Sequence, residues 1–173
     1  MKLWPFGSKK SNAPVTCGEL PVPKCLKRYF VPELGKCSMA EITGDIRCTC
    51  GAMAFKARRS EDVGLRFSLT CSSCGEDILL FDAKQHGWDA LVCGIVPDDE
   101  ANDETSEQCA KCGHEEFRAT VWIEACEREE FVEDIPEGLT EDDWVNAYGW
   151  FGAHLTCVQC GHRVRDWADV ETA

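Results

Sequence analysis

Two heptapeptides, Leu69-Thr70-Cys71-Ser72-Ser73-Cys74-Gly75 and Leu155-Thr156-Cys157-Val158-Gln159-Cys160-Gly161, constrain this chain more than any other feature in it. Each has an upstream partner. Cys109-Ala110-Lys111-Cys112-Gly113 precedes the second, and Cys48-Thr49-Cys50-Gly51, one residue shorter, precedes the first. The partners match beyond their cysteines: Cys50-Gly51, Phe55 and Ala57 align without a gap on Cys112-Gly113, Phe117 and Ala119. The pattern reads as an internal duplication of a unit made of knuckle, strand, return strand and knuckle.

A C-x2-C turn grips one face of a metal ion, and the glycine after it supplies a backbone conformation that other residues resist. A second knuckle returned by a hairpin completes a tetrahedron of thiolates, the geometry of structural Zn²⁺. Cys109, Cys112, Cys157 and Cys160 form one such set; Cys48, Cys50, Cys71 and Cys74 form the other, with a tighter C-x-C turn at Cys48. Two Zn²⁺ ions per chain are therefore expected. Four thiolates also suit iron, and reduced packed thiols or disulfides are the readings that need no metal. Cys17, Cys25, Cys37 and Cys93 fit no knuckle spacing; a third metal site among them and ordinary packed thiols both stay open.

The paired C-x2-C-G knuckles, each feeding a strand, resemble the zinc-ribbon (rubredoxin-like) superfamily over residues 41–82 and 107–169. That resemblance implies a mainly β fold of two tandem antiparallel zinc-ribbon units, the second carrying a short inserted α-helix. It implies little about function, because such ribbons serve transcription, ribosomes, metalloenzymes and protein–protein contacts. The loop from Phe81 to Ala90 is similar to a segment of uncharacterised bacterial Cys-rich proteins, some of them of immunity type.

Short units of this kind bury too little apolar surface to fold alone, so metal is expected to replace missing burial. Thirteen cysteines, a start without a continuous apolar region and no run of the length needed to cross a membrane together predict a reduced, cytosolic, soluble chain. The formal charge of −13 is uneven. Residues 1–40 hold seven Lys/Arg against two Asp/Glu, residues 41–95 six against eight, and residues 96–173 five against twenty-one. The acidic second half disfavours nucleic-acid backbones and suits either plain solubility or a basic partner.

Read in order, residues 1–40 are a basic arm and Pro-punctuated segment, 41–96 the first unit, 97–108 an acidic linker expected to be mobile, and 109–173 the second unit. Strands are expected over Glu41 to Cys48, Ala52 to Arg58, Arg66 to Cys71, Asp77 to Phe81, Phe117 to Ile123 and Trp150 to Cys157. Asp77 to Phe81 is apolar on both faces, the pattern of a central strand. The two knuckles enclose 20 residues in the first unit and 44 in the second. The additional segment, roughly 125–148, is acidic and contains a helix capped by Thr140 and Asp143, with Trp144 and Tyr148 on one face.

Trp144 and Tyr148, and the loop residues His86, Trp88 and Asp89, are the candidate binding anchors. No phosphate loop, H-E-x-x-H or G-x-S-x-G motif is present, and a closed four-thiolate site leaves no coordination position for a substrate. The expected function is a zinc-stabilised module for a basic protein partner, including an immunity-type role. A nucleic-acid-associated ribbon and a metal-handling or redox protein are the alternatives.

Overall fold

The computed structural model describes residues 20–60, 65–95 and 104–172. Within these, nine strands form one antiparallel sheet: β1 (Phe30–Pro32), β2 (Glu41–Ile46), β3 (Phe55–Ser60), β4 (Arg66–Cys71), β5 (Asp77–Asp82), β6 (Glu104–Ser106), β7 (Glu116–Glu124), β8 (Trp150–Cys157) and β9 (Arg163–Glu171). The alternation that marks Phe67, Leu69 and Cys71, or Phe117, Ala119, Val121 and Ile123, becomes the inner face; all seven are buried. The fold is mainly β, as the alternation predicts.

The halves are not side by side. Strand β7 pairs with β8 along one edge and, along the other, with both β2 and β3. Phe55 stands opposite Phe117 in the β3–β7 pair, joining the residues that align between the two halves. Antiparallel pairing of corresponding residues is what a local two-fold axis produces. The registers agree with it: Phe55 opposes Cys71 as Phe117 opposes Cys157, and Ala57 opposes Leu69 as Ala119 opposes Leu155. Both return hairpins are interrupted at the same place, between Phe67 and Ser68 and between Ala153 and Leu155.

The sheet curls so that both halves share one core. Phe67 of β4 packs edge-on against Trp167 of β9, 5.2 Å between centroids, and Phe81 of β5 stacks on Phe151 of β8 at 5.3 Å. β5 ends the strand order and pairs only with β4, so the central position expected for Asp77–Phe81 is corrected. Its apolar run has another cause: the register break brings both Leu80 and Phe81 to the buried side.

Two further segments are better anchored than the sequence suggests. Leu26 and Tyr29, within the Pro-punctuated stretch, are core residues. The acidic stretch before Cys109 ends in β6, which pairs with β3, and Glu104 meets Arg58 and Arg66. Its earlier part, 96–103, and the arm up to residue 19 lie outside the described residues. No helix among the described residues is long and apolar enough to cross a membrane.

Candidate metal centres

Three of the four knuckles are built alike. In each, the glycine N–H closes the turn on the carbonyl of the first cysteine: Gly75 to Cys71 (2.9 Å), Gly113 to Cys109 (2.7 Å) and Gly161 to Cys157 (3.0 Å). The first cysteine's own N–H donates to the carbonyl five residues on, at Glu76, His114 and His162. These glycines have φ of 77°, 72° and 68°, the left-handed region that a side chain resists. The fourth knuckle omits one residue. Gly51 N–H still reaches the Cys48 carbonyl, at 2.8 Å, but Cys48 N–H now donates only four residues on, to Ala52. Gly51 adopts a φ of 92°. The turn is tighter and the cysteine pair is still presented.

The knuckles converge in two sets, Cys48, Cys50, Cys71 and Cys74, and Cys109, Cys112, Cys157 and Cys160, with all sulfurs of a set within 4.8 Å of one another. The close pairs are Cys48–Cys74 at 3.5 Å, Cys50–Cys71 at 3.7 Å, Cys109–Cys160 at 3.6 Å and Cys112–Cys157 at 3.6 Å. A tetrahedron with Zn–S of roughly 2.3 Å has S···S edges of about 3.8 Å. The sulfurs therefore stand at ligand separation and much too far apart for the roughly 2.05 Å of a disulfide. The first cysteine of every knuckle is buried; Cys50, Cys74 and Cys112 are exposed and Cys160 half-buried. Each set thus caps the sheet's core with one side open to water, and each could hold a metal ion.

The thiols within each set are shifted in opposite directions, and burial pushes Cys48 well above the ordinary thiol range. Burial raises Cys71 and Cys109, but backbone N–H groups of their own knuckles, with neighbouring thiols, outweigh it and bring both down to about 7. Cys157 is lowered in the same way. Cys112 goes the opposite way, to about 12, as burial and the surrounding sulfurs overcome the His114 amide. A cation would favour thiolates throughout.

Around the first set lies a group that the second lacks. Glu76 sits where the second half has His162. Its carboxylate accepts hydrogen bonds from Thr49 Oγ1 (2.7 Å), Cys48 Sγ (3.1 Å) and Tyr29 Oη (2.8 Å), with Arg28 at 3.5 Å. These donors hold its carboxyl down to about 2. Glu76 thereby ties the short knuckle to its partner knuckle and to the segment before β1. Sequence spacing gave no sign of this clamp beyond the unlike residues at 76 and 162.

The other candidate residues lie elsewhere. Cys25, Cys37 and Cys93 belong to no metal-capable group among the described residues, and Cys17 lies outside them. Cys37 Sγ points to the carbonyls of Glu33 and Thr43, and burial pushes Cys25 up to about 11. Cys126, which no spacing singles out, is half-buried and also raised to about 11 by burial and by Glu130 and Glu124.

The anchors expected in the insert separate. Thr140 and Asp143 do form the capping box, at the start of a 3-10 turn, Glu141–Asn146, and an additional helix, α1, covers Arg128–Glu133. Trp144 remains half-buried at the surface. Tyr148 is only 1% exposed, so its ring belongs to the core between Phe81, His86 and Phe151 rather than to a binding face. The loop of His86, Trp88 and Asp89 is likewise a seam between the halves. Gly87 N–H donates to the Asn146 carbonyl, Trp88 N–H to the Tyr148 carbonyl and Asp89 N–H to the Thr172 carbonyl. His86 is buried, accepts the Asp82 N–H on Nδ1, and is shifted toward the neutral form by burial.

Comparison of the chain with family models, with curated proteins and with solved structures gave no match.

Proposed function

We propose that the protein is a zinc-stapled, non-catalytic interaction module whose partner is a basic protein. The observation that carries the metal half is the mutual approach of four sulfurs in each set, which gives an ion all its ligands from the chain and leaves no position for a substrate. The resemblance of the four knuckles to zinc ribbons, and the equal registers of the two halves, support a duplicated ribbon as the origin of the fold.

The partner half rests on charge. Five Lys/Arg face twenty-one Asp/Glu beyond residue 95. An open concavity of about 410 Å³ lined by Met39, Ala40, Cys126 and Trp144 together with Glu127, Arg128 and Glu129 places apolar surface beside that charge. Repulsion of phosphates weighs against a nucleic-acid role. An immunity-type role, in which an acidic surface covers a basic protein, is one form of this reading, and cytosolic residence fits its reduced thiols.

Affinity capture from the source cell with the metal-loaded protein tests it. A basic protein that is retained at low salt, released by high salt and insensitive to nuclease is the expected result. Retention of a nucleic acid in its place contradicts the reading.

A further inference from the structure

We infer that the solvent face of the β2–β7–β8–β9 sheet is a docking surface for a lysine- or arginine-bearing extended segment of a protein partner. This rests on the reading of a basic partner and assigns it a place. The basis is a cross-strand array that no local pattern displays. Residues opposite one another in an antiparallel sheet share a face. Glu41 opposes Glu124, Glu124 opposes Trp150, and Trp150 opposes Glu171, so four strands lay carboxylate, carboxylate, indole and carboxylate in one row. The next row runs Thr43, Trp122, Gly152 and Asp169. The third holds Asp45, Thr120 and His154.

Side-chain geometry keeps the two indoles on this face. Trp122 lies across Gly152, where any Cβ would collide with the indole ring, and its ring centroid is 4.5 Å from that of His154. Trp150 Nε1 donates to Asp169 at 2.7 Å. Glu41, Asp45, Glu124, Asp169 and Glu171 are all exposed and both tryptophans half-buried. Tryptophan faces attract ammonium and guanidinium groups, and flanking carboxylates add to the attraction while repelling phosphate. The face is also concave. One hollow, of about 490 Å³, includes Glu41, Asp45, Trp122 and His154; another, of about 310 Å³, includes Glu124, Trp150 and Glu171. Lys36 and Arg163 line the first hollow too, and Lys36 is engaged by Glu33 at 3.1 Å. Trp122 and Trp150 are unusual residues to leave on the wet side of a sheet, and carboxylates on neighbouring strands at about 4.8 Å spacing repel one another unless a cation joins them.

The test uses a fluorescein-labelled octapeptide of alternating lysine and serine, titrated into the full-length, metal-loaded protein at about 50 mM salt and again at about 300 mM. The wild type is compared with two variants of equal net charge: the face variant Glu41→Gln/Glu124→Gln/Glu171→Gln, and a control in the insert, Glu133→Gln/Asp134→Asn/Glu137→Gln. All six positions are exposed, so both variants should fold, and unchanged melting and metal content verify it. The expected result is salt-sensitive binding with shifts of the Trp122 and Trp150 indole resonances, weakened about tenfold in the face variant and by no more than about twofold in the control. Absence of binding, equal weakening in both variants, or stronger binding of an octathymidine strand than of the peptide would overturn the assignment. A captured basic partner whose affinity is unchanged by the face variant would remove this surface while leaving the interaction-module reading intact.

Discussion

The two tetra-cysteine sets answer the same geometric demand with different means. The second is made almost wholly by backbone: two C-x2-C turns, each closed by a left-handed glycine, each with its first cysteine amide donating five residues on. The first has one turn cut by a residue and gains a side-chain clamp, Glu76, joined to Thr49, Cys48 and Tyr29. Backbone alone positions sulfurs when the turn has its full length; a shortened turn here coincides with bracing from outside the knuckle. The bracing has an electrical cost. A carboxylate 3.1 Å from Cys48 Sγ suits a thiol that donates to it and opposes the thiolate that a metal requires. The first centre should therefore be the more labile of two otherwise similar sites.

The largest effects come from removing a ligand. Cys71→Ser and Cys157→Ser change corresponding buried positions, and each should release one metal and lower the melting temperature steeply, since structural zinc is coupled to folding with apparent energies of roughly 10–16 kcal/mol in small fingers. Cys25→Ser should retain both metals and lose no more than about 1–2 kcal/mol. Elemental analysis with thermal melts makes the comparison, and equal losses in Cys25→Ser and Cys157→Ser would put Cys25 among the ligands.

Phe117→Ala asks whether the two halves are one folding unit. Phe117 is fully buried and faces Phe55 at the β3–β7 join, so truncation should cost about 3–5 kcal/mol and weaken both halves in a single transition. Two separate transitions, with the first half unaffected, would show the halves to be independent.

Much of this was legible in the sequence, and what was hidden was hidden for a reason. Knuckle spacing and the following glycines identified all eight sulfurs, and alternation identified β4 and β8 to the residue. These are local signals. Pairing of β7 with both β2 and β3 is not local: it joins residues about sixty to eighty positions apart, and nothing within either strand announces it. The insert misled for a related reason. Helical spacing groups Trp144 with Tyr148, but the 3-10 turn ends at Asn146, and Tyr148, in the short link to β8, enters the core instead. The apolar run of β5 likewise recorded a register break rather than a central position.

Smaller changes sharpen the contrast between the centres. Glu76→Gln keeps an acceptor for Tyr29 or Thr49 and removes the charge beside Cys48. Metal transfer to a competing chelator should then slow at the first centre, while His162→Gln at the corresponding place leaves the second unchanged. Faster release from Glu76→Gln would mean that the clamp's bracing outweighs its repulsion. The smallest effect belongs to Asp143, whose carboxyl is held down to about 2 by Lys24 and by Thr140. Because its folded value lies below the ordinary 3.8, its contribution is present above that value and fades as pH falls toward 2. Asp143→Asn should remove this part of the acid sensitivity of the metal-free protein, read as a flatter melting temperature between those limits.

Native mass spectrometry of protein purified without added metal tests the central claim most directly. Two zinc ions per chain are expected, released stepwise under chelation, with Glu76→Gln delaying the first step. One zinc per chain, no bound metal, or iron in stoichiometric amount would contradict the account of two zinc-filled tetrathiolate centres.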